Sequence, residues 1–171
     1  MRHSLAAVAV ATLSTAALAQ EQPAAQAPQS AWQNFEQGEM KGTVLQAADG
    51  SQLVIKCDKP GRREVYAMIV SPEKKLAAPS SRPVSRPIRF MFDDKSPSTE
   101  NWRFYEQYTT ALGKTSDRAL PRFIVDLRKA SKLRMILNTG IGPDVEMEFD
   151  VTGAGDAVTH VYETCNDREP A

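Results

Sequence analysis

The sequence is poor in the side chains from which most catalytic and cofactor sites are built. It contains two cysteines and two histidines, and one of the histidines, His3, lies in the N-terminal segment. His160 is therefore the one imidazole in the rest of the chain available for general-base chemistry near neutral pH. A zinc site requires several Cys or His ligands at short spacings, which the chain does not offer. We expect no catalytic residues, no bound metal and no cofactor.

The chain also lacks an excess of charge of either sign. It carries 21 Lys and Arg against 21 Asp and Glu, and the two signs alternate along its length. Binding to a nucleic acid requires clustered positive charge that displaces counterions from the phosphates. The same balance disfavours docking on an anionic membrane surface. We therefore expect neither a nucleic acid nor a membrane surface as the partner.

No apolar run is long enough for a transmembrane helix, which needs about 20 residues. Residues 1–19 instead have the three parts of a signal peptide. Arg2 and His3 give a positive start, residues 5–13 form a short apolar run, and residues 17–19 read Ala-Leu-Ala. No cysteine follows that cleavage pattern, which disfavours a lipid-anchored protein. The sequence predicts export to the periplasm and no membrane anchor in the mature chain.

The mature chain is predicted to form one domain. Residues 20–30 are rich in Gln, Ala and Pro and contain no large apolar side chain, as is typical of a flexible linker. Trp32 and Phe35 are the first large apolar side chains after it. We assign residues 31–168 to a single periplasmic domain, a length that normally supports one hydrophobic core.

Two cysteines in an exported protein most simply form one disulfide. Cys57 and Cys165 would join an early strand to the C-terminal segment. Closing a loop of that length restrains the unfolded chain by roughly 4 to 5 kcal/mol on chain-entropy grounds. A metal-binding pair or a reactive thiol remains an alternative, although neither cysteine has a second ligand at short spacing.

The periodicity of apolar residues predicts an α+β fold with a largely antiparallel sheet and two short helices in the C-terminal half. The prolines of residues 71–87 predict a surface loop that cannot continue a sheet ladder. A Gly-Ala-Gly sequence at residues 153–155 predicts a tight connection between a strand and a helix. The predicted strands and helices are a three-stranded meander over 42–71, strands at 88–92, 102–112, 133–138 and 145–151, a helix at 120–132 and a last helix over 157–165.

Three arginines, Arg82, Arg86 and Arg89, lie in or beside the proline-rich loop. Guanidinium groups bind carboxylates through planar, paired hydrogen bonds. The three side chains are therefore the candidate residues for binding an acidic partner.

Acidic side chains form two further groups. Glu146, Glu148 and Asp150 share one face of a predicted strand, where they could in principle hold a hard cation, although a solvated outer face opposite an apolar inner one is the better explanation. The second group, in a predicted polar turn, comprises Asp93, Asp94 and Glu100.

Several of these positions together resemble a known family. They are Trp32, residues 53–57 and 89–93, Trp102, residues 123–127, and an ending that runs from Phe149 through Gly153 and Ala157 to Cys165. This pattern resembles the small periplasmic proteins of the VasI/TagO type, which are associated with type VI secretion. The resemblance implies a non-catalytic periplasmic role, and it implies that the two cysteines match the paired cysteines of that family.

The sequence therefore favours a soluble, non-enzymatic periplasmic protein that acts by binding another envelope protein. One alternative is an inhibitor of an envelope hydrolase, such as a lysozyme or a protease, whose cleft the loop at 71–87 would enter. A further alternative is a cell-wall hydrolase with His160 or the acidic strand in its site.

Overall fold

A computed structural model describes residues 31–62, 65–80, 82–112 and 119–171. The predicted signal peptide (1–19) and linker (20–30) lie outside the described residues. Within these ranges there are nine strands and two helices. They are β1 (Gln33–Gln37), β2 (Met40–Gln46), β3 (Gln52–Cys57), β4 (Tyr66–Val70), β5 (Val84–Phe92), β6 (Ser98–Phe104), β7 (Tyr108–Leu112), α1 (Ala119–Leu127), β8 (Lys132–Leu137), β9 (Val145–Asp150) and α2 (Ala154–Thr164).

All nine strands belong to one antiparallel sheet in the order β1-β2-β3-β4-β7-β6-β5-β8-β9. Helix α1 packs against β6 and β7, and α2 packs against β2 and β3. The predicted fold class is confirmed: a single α+β domain with an antiparallel sheet and both helices in its C-terminal half. Neither described helix has the length and apolar character needed to cross a membrane.

The core lies between the sheet and the helices. Alternate residues of strands such as β6 and β9 point inward, as the period of two in a strand requires. Phe123 of α1 is fully buried, and its ring centroid lies 5.5, 5.4 and 5.1 Å from those of Phe90, Phe92 and Trp102. These edge-on and tilted contacts are the favoured geometry for aromatic pairs. They fix α1 on the inner face of β5 and β6.

The disulfide between Cys57 and Cys165 is present, which confirms the predicted pairing. Cys57 ends β3 and Cys165 caps α2, and each is 1% exposed. Their Cα atoms are 6.1 Å apart, within the range that a disulfide spans. The bond attaches the last helix to the sheet.

Two strand assignments were wrong. The predicted strand at 102–112 is the end of β6 followed by β7, joined by a turn in which the Tyr105 N–H donates to the Tyr108 carbonyl at 2.7 Å. That turn has neither glycine nor proline, so no typical turn residue marks it in the sequence. Strand β1 was not predicted, because its sequence QNFEQ has no apolar alternation and it is an edge strand.

The predicted loop at 71–87 is too long, because β5 already begins at Val84 and contains Pro87. Pro87 pairs with Asn101 of β6, whereas pairing with β8 starts only at Ile88. At this position β5 therefore has a paired strand on one side only. A missing backbone N–H is tolerated because the other side has no strand to bond.

The helix boundaries also differ from the predicted ones. Helix α1 ends at Leu127 rather than at residue 132, and the N–H groups of Lys129 and Ala130 bond three residues back, to the carbonyls of Asp126 and Leu127. Such tight bonds are typical of a helix end. Helix α2 begins at Ala154, directly after Gly153 at φ 83°, which confirms the predicted tight connection.

Candidate functional site

The three candidate arginines do not form one cluster. Arg86 is the cross-strand neighbour of the buried Trp102 and shares its face of the sheet. Arg89 is three residues further along β5, an odd spacing, so it lies on the opposite face and is exposed. Arg82 is exposed and precedes the strand. Only Arg82 and Arg86 belong to the same end of β5.

The half-buried guanidinium of Arg86 lies against Gly140, in the turn between β8 and β9. A Cβ at residue 140 would overlap that guanidinium, and Gly140 has a φ of +64°, which favours glycine. The buried Nε of Arg86 has no hydrogen-bond partner among the described residues. The guanidinium is thus positioned by its contact with Gly140, and its Nε remains without a hydrogen-bond partner in the described part of the chain.

Two exposed apolar side chains are close along the chain to the residues of this contact. Val84 is 42% exposed and Ile141 is 47% exposed, and no other large apolar side chain in the described ranges is exposed. Val84 is two residues from Arg86 on β5, and Ile141 directly follows Gly140. Contact between Arg86 and Gly140 places both at the same end of the molecule. We call Val84, Arg86, Gly140 and Ile141 the Val84 surface.

The loop before β5 is tied to the body of the protein. Leu76 is fully buried, and its N–H donates to the carbonyl of Glu106 at 2.7 Å. The Ser71 N–H likewise donates to the carbonyl of Gln107 at 2.9 Å. After Ala77, described residues 78–80 and 82–85 are all exposed. The exposed part of the loop therefore leads directly into the Val84 surface.

The acidic residues of β9 point outward along the edge of the sheet and are partly neutralised. Glu148 lies 3.2 Å from Lys132 Nζ and 3.6 Å from Arg134 Nη2. The hydrogen bond and charge of Lys132 lower the pKa of Glu148. Bonds from the Thr152 side chain and backbone lower the pKa of Asp150. Within the described ranges no three His, Cys, Asp or Glu side chains are grouped to hold a metal ion.

The other predicted acidic group is divided between two places. Asp93 Oδ1 accepts the N–H groups of Ser131 and Lys132, both at 2.9 Å, and these bonds lower its pKa. Asp94 is exposed in the turn. Glu100 instead points inward from β6 and is 9% exposed. Sequence reasoning placed it in a turn and missed its burial.

His160 lies in α2 and is half-buried. Its backbone carbonyl accepts the hydroxyl of Thr164 at 2.8 Å. The helix face beside it is packed into the core through Ala157, Val158, Val161 and Tyr162.

These features define a class of protein: a small, disulfide-bonded antiparallel β-domain with two helices on one face and an apolar, arginine-containing surface at one end. The chain belongs to the YfjT family, whose family model matches residues 30–158. That stretch includes Cys57 and the Val84 surface but ends before Cys165. No curated protein and no solved structure matches the chain.

Proposed function

We propose that this protein is a non-enzymatic periplasmic binding protein that acts on another envelope protein through the Val84 surface. The observation that carries the proposal is the exposure of Val84 and Ile141, 42% and 47%, at the end of the sheet where the Arg86 guanidinium lies against Gly140.

The chemistry of this surface indicates what it would bind. Apolar groups gain roughly 25 cal/mol per Å² when they leave water. Arginine is enriched among the residues that dominate binding energies at interfaces, because its fork of donors matches a carboxylate. A partner segment with an apolar side chain next to a carboxylate would satisfy both features. The exposed Arg82 adds positive charge at the same end.

Two features support the proposed compartment. Residues 1–19 have the pattern of a signal peptide. The disulfide between Cys57 and Cys165 is of a kind that persists in oxidising compartments such as the periplasm. The similarity to VasI/TagO-type proteins suggests that the partner belongs to a secretion apparatus or to the cell-wall machinery.

Site-specific photocrosslinking in the native host tests this proposal. A photoreactive residue is placed at position 84 or 141, and at position 101 as the control, since Asn101 is exposed on the outer face of the sheet. We expect the same protein to be captured from positions 84 and 141 but not from 101, and the yield to fall in an Arg86→Ala background. Capture of the same protein from position 101, or no capture from 84 and 141, would contradict the proposal.

A second candidate function is inhibition of an envelope hydrolase. The exposed residues 78–80 and 82–85 are anchored by buried Leu76 and Ala77 on one side and by β5 on the other. A loop held at both ends binds a cleft with little loss of conformational entropy. An inhibitor would abolish the activity of a lysozyme or protease at near-equimolar amounts, whereas the accessory protein proposed above would leave a panel of such enzymes unaffected.

A further inference from the structure

Glu100 is an acidic residue among core positions. It pairs with Ile88 and precedes Trp102 and Phe104 on the inner face of β6, and these three neighbours are 0%, 1% and 1% exposed. Glu100 itself is 9% exposed. Burying a carboxylate is unfavourable unless it is paired and hydrogen-bonded. Its position therefore requires a compensating partner.

The partner within the chain is Arg122 of α1, which supplies one bond. Arg122 Nη1 lies 3.1 Å from Glu100 Oε1, and the arginine side chain is 72% exposed. The pair thus consists of a buried acceptor and a largely exposed donor.

A cavity of about 430 Å³ opens beside this carboxylate, between the β5–β6 hairpin and α1. This volume lies in the range of small-molecule sites, about 300 to 1,000 Å³. Its walls combine the carboxylate with apolar surface and a hydroxyl, and they include Phe90, Ser98, Glu100, Pro121, Arg122 and Val125. The cavity lies at the far end of β5 from Val84, so it is separate from the Val84 surface.

We propose that this cavity binds a small molecule that carries an ammonium or guanidinium group on a short apolar stem. The cation binds the carboxylate of Glu100, and the stem packs between Phe90 and Val125. Arg122 occupies the carboxylate in the empty protein and swings into solvent when the ligand enters. The buried group determines that the ligand is positively charged, because a fixed carboxylate attracts a cation and the exposed arginine can leave.

The proposal is tested by nuclear magnetic resonance titration of the purified, oxidised protein with 1-aminopentane. 1-Pentanol and pentanoate serve as neutral and anionic probes of the same length. We expect saturable shifts of the amides of residues 98–100 and 122–126 with the amine only. A charge-assisted hydrogen bond contributes about 1.5 to 3 kcal/mol, so Glu100→Gln should weaken binding about tenfold or more.

Two variants distinguish specific binding at Glu100 from general attraction of the amine to acidic surface. Glu146→Gln removes an exposed carboxylate of β9 and should leave binding unchanged. Arg122→Ala removes the internal competitor and should tighten binding several-fold, which a purely structural ion pair would not do. Near-ultraviolet circular dichroism establishes that each variant is folded. An equal response to pentanol or pentanoate, equal weakening by Glu146→Gln, or weaker binding by Arg122→Ala would overturn the proposal.

Discussion

At the scale of single residues, Gly140 decides where the Arg86 guanidinium lies. An alanine there must adopt a φ of +64° and must displace the guanidinium. The left-handed backbone alone costs about 1 to 2 kcal/mol for a residue with a Cβ. We expect Gly140→Ala to lower the free energy of unfolding by that amount and to reduce partner capture at position 84, measured by urea unfolding and by crosslinking yield.

Gly142, two residues further on, is the matched control. A Cβ at residue 142 meets no atom within 4 Å, and the backbone there is not left-handed. Gly142→Ala should change stability by less than about 0.5 kcal/mol. Equal effects of the two substitutions would show that general loosening of the turn, and not the contact with Arg86, is responsible.

Asp93 gives a residue-scale prediction for pH. The N–H groups of Ser131 and Lys132 bind its ionised form, so its folded pKa lies below its unfolded pKa. Its contribution is therefore present above the unfolded pKa and is lost as the pH falls through the folded pKa. We expect Asp93→Ala to be less stable than the wild type at neutral pH, and this difference to shrink as the pH falls below the unfolded pKa of about 3.9 and through the lower folded pKa.

Asp94→Ala is the control for that experiment, because Asp94 is the exposed neighbour in the same turn. Urea unfolding of the three proteins at several pH values measures the effect. A gap between wild type and Asp93→Ala that stays constant with pH would assign the loss to turn conformation, since Asp93 has a φ of 50°, and would reject the charge-dependent bonds as its cause.

At the scale of elements, one aromatic side chain of α1 makes the ring contacts between that helix and the sheet. Phe123 contacts the rings of Phe90, Phe92 and Trp102. Phe123→Ala should cost about 3 to 5 kcal/mol, because it leaves a cavity between helix and sheet. Val125→Ala, on the half-buried side of the same helix, should cost about 1 kcal/mol. Thermal or urea unfolding distinguishes the two, and equal losses would contradict this account of helix packing.

The elements also show what sequence periodicity can and cannot predict. Strand β9 alternates Val, Met and Phe with Glu, Glu and Asp, and every residue faces as that alternation requires. Strand β1 has no such alternation, because only its register with β2 holds it in the sheet. The start of β5 could not be predicted because it contains Pro87, which favours a loop. Proline is tolerated there because Pro87 pairs with β6 alone, and pairing with β8 begins only at the next residue. Periodicity therefore predicts strands with one buried face and misses those defined by their neighbours.

The candidate sites were hidden for the same reason. Arg86 and Arg89 are three positions apart, an odd spacing, so recognising the strand would have placed them on opposite faces. The contact of Arg86 with Gly140 joins two strand ends that are distant in sequence. Glu100 looked like a turn residue because its burial depends on α1, which follows later in the chain. The sequence could identify these residues as candidates but could not predict which residues surround them in the fold.

At the scale of the whole molecule, one covalent bond joins the two ends of the fold. Cys57 belongs to the first half of the sheet, and Cys165 caps the last helix, 108 residues later. Both cysteines were identified from the compartment that the leader predicts, and their pairing needed no knowledge of the fold. The elements between them include both candidate sites, so the disulfide restrains the whole frame on which those sites are built.

Removing that bond should therefore weaken the entire domain. Cross-linking a loop of this length contributes roughly 4 to 5 kcal/mol through the unfolded chain, and measured losses are typically about 2 to 5 kcal/mol. We expect the double variant Cys57→Ser, Cys165→Ser to lose about that much in urea unfolding, and the wild-type protein with reductant to match it. The contrary outcome is a reduced wild type that keeps its full stability while the serine variant loses it. The loss would then come from burying two hydroxyl groups, because both positions are 1% exposed. In that case the disulfide would not be what stabilises the fold.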